Sequence, residues 1–102
     1  MENTTTKIVR ILEDEIISGK LPEGEYLYST REIMNRFSTS EKTARRVVYL
    51  FHATELLETE RGKGLRIAMG ARDFVLEYRR RAWHEKFDEL AKEAELLEIE
   101  GE

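Results

Sequence analysis

The chain has 102 residues, with 17 Lys and Arg against 21 Asp and Glu for a formal net charge of −4, and no cysteine. That length suits one small core with an appendage and is too short for a deep catalytic cleft, while the missing cysteines exclude disulfides, thiolate metal sites and cysteine nucleophiles and fit a reducing compartment. No apolar run reaches membrane length and Met1–Thr6 carries neither a secretory nor an arginine-rich targeting pattern, so a soluble, cytoplasmic protein with no membrane partner is expected.

Thr5 or Thr6 can cap a first helix whose Ile8, Ile11, Leu12, Ile16 and Ile17 recur at steps of three and four, with Arg10, Glu13 and Asp14 on the outer face. Gly19 supplies the left-handed residue that ends such a helix, and Leu21-Pro22-Glu23-Gly24 reads as a turn leading to Leu27. Ser29-Thr30-Arg31-Glu32 has the form of a capping box opening a second helix over 29–37, which turns Ile33, Met34 and Phe37 inward. Phe37-Ser38-Thr39 leaves room only for a tight turn before a third helix over 41–54, capped by Ser40. Its Ala44, Val47, Val48 and Phe51 stand at i, i+3, i+4 and i+7. Two short helices joined so tightly cross steeply, and the second is presented outward. At 100° per residue, burying those four side chains leaves Glu41, Lys42, Arg45, Arg46 and Tyr49 outside.

Leu57–Glu60 and Leu65–Ala68 then alternate apolar and polar residues around Arg61-Gly62-Lys63-Gly64, the signature of a hairpin. Met69-Gly70 closes a unit of residues 1–70. Residues 71–102 follow as a long charged helix from Ala71 to about Glu98, with Glu98–Glu102 expected to fray. The expected fold is mainly α with a small β-hairpin: a winged helix-turn-helix domain followed by a C-terminal dimerisation helix.

An outward helix bearing arginines suits a DNA major groove. The acidic total is no obstacle, because residues 71–102 hold ten acidic and six basic residues, whereas residues 29–66 hold eight basic and five acidic. DNA affinity follows such local charge. Arg45, in the second turn of the third helix, has a planar fork suited to guanine O6 and N7, or is simply a solvated helix arginine. Ser40 is an N-cap, a role compatible with holding a phosphate. Gly62, Lys63 and Gly64 would set backbone and one cation beside the minor groove, or form a plain turn. Glu41 faces the same groove as a carboxylate. It either accepts from a cytosine amino group, aims Arg45 through an i, i+4 pair, or is held by the helix N-terminus.

These residues resemble the GntR family of bacterial transcription regulators. The family's Leu-Pro-Ser-Glu-Arg-Glu-Leu-Ala run stands here as Leu27-Tyr28-Ser29-Thr30-Arg31-Glu32-Ile33-Met34, its Ser-Arg-x-Thr-Val-Arg run as Ser40-Glu41-Lys42-Thr43-Ala44-Arg45, and its Gly-x-Gly wing as Gly62-Lys63-Gly64. Ile17–Gly24 also looks like the family's segment between its first two helices. The resemblance implies a sequence-specific DNA-binding regulator, a repressor, in which Arg45 approaches a guanine and Arg31 reaches DNA from the start of the preceding helix. It implies phosphate or base-edge contacts for Ser40, Lys42 and Thr43. Tyr28 in place of proline and Thr30 in place of glutamate imply a less rigid, less acidic start to the second helix. The short tail is similar to the YtrA-like branch, which dimerises through C-terminal helices, although that branch usually has two and this chain stops soon after Ile99.

In the tail, Leu76, Trp83, Leu90 and Leu97 repeat every seven positions, with Phe87 and Ala94 beside them. Phe74 to Tyr78 are expected to touch the domain, and Trp83, Phe87, Leu90, Ala94 and Leu97 to form the seam of a homodimer on an inverted-repeat operator. An unidentified small-molecule effector would sit between domain and tail or across the dimer. His52 and His84 have no spaced metal partner and no elbow serine nearby, so neither enzyme activity, metal nor cofactor is expected. The competing reading is a winged-helix protein-interaction module without DNA binding, which Glu41 and the acidic tail would suit.

Overall fold

The structure is a computed structural model and describes residues 3–60 and 64–101. Its elements in order are α1 (Thr4–Ser18), α2 (Thr30–Phe37), α3 (Glu41–Ala53), β1 (Leu57–Glu60), β2 (Gly64–Ile67) and α4 (Ala71–Gly101). The fold is mostly helical with one antiparallel hairpin, as the pattern of periods implies.

Asn3, rather than Thr5 or Thr6, caps α1. Its Oδ1 accepts the Thr6 backbone N–H at 2.8 Å, which a side-chain amide does as well as a hydroxyl, and Thr5 is thereby rotated into the core. Ile8, Leu12 and Ile16 are buried as expected, but Ile11 is 42% exposed. The helix half-buries a second side through Val9, Glu13 and Ile17, toward α4, and Ile11 lies on the edge away from it. Gly19 ends α1 at φ +85°, its N–H donating to the Ile16 carbonyl, a conformation that costs a residue without Cβ little.

α2 carries the full capping box: the Ser29 hydroxyl accepts the Glu32 N–H at 3.1 Å and the Glu32 carboxylate accepts the Ser29 N–H at 2.9 Å. Ile33 is wholly buried, with Met34 and Phe37 packed at the core margin. α3 crosses behind it and buries Ala44, Val47 and Phe51, with Val48 half-buried. The hairpin pairs Leu57 with Ile67 and Glu60 with Gly64, and the buried pair closes the core beneath the helices. A third stretch lies along the free edge of β2. The Gly24 N–H donates to Ile67, Ile67 to Glu25, and Leu27 to Leu65, all at 2.8–2.9 Å. A turn and a leucine give no alternation from which that edge could be foreseen.

α4 leaves this body after two turns. Ala71 and Val75 are buried in it; the Arg72 guanidinium donates to the Ile17 carbonyl at 2.9 Å and its backbone N–H to Glu23 at 3.0 Å. Arg79 grips α1 from the next turn, donating to Asp14, to Glu13 at 3.4 Å and to the Arg10 carbonyl at 3.1 Å. The helix runs on to Gly101, beyond the expected end near Glu98, because Glu98-Ile99-Glu100 contains no helix breaker. The molecule is accordingly 65 Å in its longest dimension and 21 Å in its shortest. Among the described residues no helix is long and apolar enough to cross a membrane.

Candidate nucleic-acid interface

The site is assembled from the start of α2 and the outer face of α3. Ser40 caps α3, its hydroxyl accepting the Thr43 N–H at 3.2 Å and donating to the Thr43 hydroxyl at 3.0 Å. This leaves Thr43 half-buried with its oxygen engaged in the cap. Ala44, Val47 and Phe51 fix the rotation of the helix, and the opposite face presents Glu41, Lys42, Arg45, Arg46 and Tyr49, all exposed. Arg31, in the first turn of α2, is also exposed.

Glu41 and Arg45 form an i, i+4 ion pair at 2.7 Å, with the Arg45 side chain still 71% accessible. Of the three readings open for Glu41, the pairing with Arg45 is therefore realised in the unbound protein. A carboxylate one turn before the arginine restricts the guanidinium to the solvent side of the helix. Exposed pairs of this kind add little stability, so the pair matters for direction.

In the wing, Gly64 has φ +102° and its Cα faces the Tyr26 ring, where an added Cβ would stand 3.9 Å from a ring carbon. The strained conformation alone demands glycine there. Gly62 and Lys63 lie outside the described residues. The Arg66 guanidinium sits 4.9 Å from the centre of the Tyr26 ring and donates to its hydroxyl at 3.1 Å, tying the wing to the third stretch of backbone.

One cluster beside the site is absent from the sequence reading. Glu15 lies on the core face of α1 with its side chain only 8% accessible, and Arg36 in the last turn of α2 donates to both its oxygens, one at 2.9 Å. The Arg36 guanidinium also lies 5.2 Å from the centre of the Tyr28 ring and 4.8 Å from that of Phe37. The Tyr28 hydroxyl reaches Glu15 in a long hydrogen bond of 3.4 Å. Hydrogen bonds from Arg36 hold the Glu15 carboxyl below the ordinary carboxylate range in spite of its burial. The signal that could have found it is Glu15 itself, a carboxylate between Leu12 and Ile16 on an apolar stripe, which must have a partner.

The tail residues Trp83, Phe87, Leu90, Ala94 and Leu97 are all exposed, Trp83 stacking on Phe87 with ring centres 5.3 Å apart. Between α1, the end of α3 and the base of α4 runs a groove of about 640 Å³ lined by Val9, Leu50, Phe74, Tyr78, Ala82 and Trp83 among others. Tyr78 and Phe74 thus border the body without being covered by it.

The chain is similar in fold to a GntR family transcriptional regulator from Listeria monocytogenes, at a TM-score of 0.78 and 23% identity over 89% of this chain and 82% of that one. It is similar to a transcriptional regulator from Oenococcus oeni, at 0.75 and 17% over 90% and 77%. BusR of S. agalactiae, solved in complex with its busAB promoter DNA, matches at 0.62 and 23% over 90% of this chain and 53% of that one. No curated protein matches the sequence. The model of the gntR family of bacterial regulatory proteins matches residues 4–67, and the chain belongs to that family.

Proposed function

We propose that the protein is a sequence-specific transcription repressor that binds an inverted-repeat operator as a homodimer. The observation that carries the DNA reading is the division of α3 into a buried face and an outer face bearing Lys42, Arg45 and Arg46. In this reading Arg45, aimed by Glu41, takes a guanine edge. Lys42, Arg46 and Arg31 neutralise phosphates, Ser40 and Thr43 present the capped N-terminus of α3 to the backbone, and Gly62, Lys63 and Gly64 approach the minor groove. Support comes from family membership and from a neighbour of similar fold solved on promoter DNA. The repressor role rests on family resemblance.

The homodimer reading assigns Trp83, Phe87, Leu90, Ala94 and Leu97 to a shared seam, since a row of apolar side chains open to water, four of them large, is covered at low cost by its own symmetric copy. It treats residues 1–70 as the DNA-binding domain and 71–102 as the dimerisation segment. An effector, where one exists, has the groove at the base of α4 as its nearest apolar site. Selection of random duplexes with the purified protein tests the whole: the expected product is a two-fold symmetric site bound with steep salt dependence. Arg45→Ala should relax preference at one base pair in each half by about 1–3 kcal/mol. Indifference of the folded wild type to every duplex in dilute salt would instead favour a protein-interaction module.

A further inference from the structure

Eight residues make a short helix, and α2 has only Ile33 wholly buried. A helix of that length has little stability of its own and takes its orientation from what it packs against. Apolar contact is non-directional, so Ile33, with Met34 and Phe37 at the core margin, seats α2 against α3 without fixing its tilt toward α1. What restricts that tilt is directional. The planar fork of Arg36 at the end of α2 meets the Glu15 carboxylate through two donors, with the Tyr28 and Phe37 rings against it. Tyr28 immediately precedes the cap residue Ser29, so the cluster holds the chain just before α2 as well as its last turn.

Stability alone is a weak reason for such a cluster. Taking the Glu15 carboxylate out of water costs much of what its attraction to the partly exposed Arg36 returns, and apolar replacements of similar volume often serve the fold as well. At the approach to α2 the Tyr28 ring lies against the Arg36 guanidinium and its hydroxyl reaches Glu15, thirteen positions upstream.

We propose that the Glu15–Arg36–Tyr28 cluster is a positioning device that sets the tilt of α2 on α1, and with it the place of Arg31 beside the outer face of α3. For Arg31 this rests on the DNA reading above; for the tilt it does not. The test replaces the pair with apolar residues, Glu15→Leu with Arg36→Met, in the full chain. Urea unfolding should show stability kept, while affinity for the duplex selected by the wild type falls about tenfold, the scale of one lost contact. In that background Arg31→Ala should cost little further, because the two changes remove one interaction.

Residual dipolar couplings of α2 amides, measured without DNA, should shift while those of α3 do not. Arg36→Lys, which keeps the charge but gives up the fork, carries the same comparison if the double variant fails to fold. A folded variant whose α2 couplings match the wild type overturns the proposal, as does unchanged duplex affinity. A wild type that binds no duplex refutes the DNA reading instead, and the couplings still decide the tilt.

Discussion

Phe51 on α3 and Trp83 on α4 are both large aromatics on the apolar side of a helix, yet Phe51 is 1% exposed and Trp83 62%. Each stripe repeats at helical spacing and each is equally visible in the sequence. The difference is supply: α1, α2 and the hairpin pack against α3, whereas among the described residues beyond Arg79 none of α4 is buried. Periodicity therefore tells which face of a helix seeks cover and is silent on whether the same chain provides it.

Four measurements sharpen that contrast. Phe51→Ala should have the largest effect, destabilising the protein by about 3–5 kcal/mol in urea unfolding, as expected for truncating a wholly buried aromatic. Acid should come next. Glu15 is held below its ordinary range by the Arg36 hydrogen bonds, so its contribution is complete above the usual carboxylate pKa and is lost as pH falls through the lowered folded value. Glu23, held by the backbone N–H groups of Arg72 and Gly70, and Glu32, held by Ser29, act in the same sense. Urea midpoints should be flat down to about pH 5 and decline below it, with a shallower decline in Glu15→Gln.

Ser29→Ala, which removes one half of the capping box, should cost about 1 kcal/mol. Leu90→Glu on the uncovered stripe should change the unfolding of an isolated subunit by less than about 0.5 kcal/mol, while sedimentation shows any wild-type self-association lost. A large stability loss from Leu90→Glu in dilute, monomeric samples would break the contrast.

Local physics made much of this molecule legible. The two faces of α3, the capping box and the left-handed Gly19 each depend on residues within one or two helical turns, and each stands where its spacing put it. What was not legible depends on partners far along the chain. Arg36 is 21 residues from Glu15, Arg79 is 65 from Asp14, and the backbone of 24–27 bonds to Leu65 and Ile67 of β2. The misjudged cap has a different cause, since Asn3, Thr5 and Thr6 are all competent cap residues and residue type alone does not choose among them.

The grip of Arg79 on α1 gives α4 the mechanics of a lever with a short arm and a long one. Beyond residue 79 another 22 residues of helix extend to Gly101, about 33 Å at 1.5 Å per residue. A rotation of roughly ten degrees at the fulcrum sweeps the far tip through about 6 Å on that arm. In any pair joined near the tips, small adjustments among Arg10, Glu13, Asp14 and Arg79 become large changes in the separation of the two bodies.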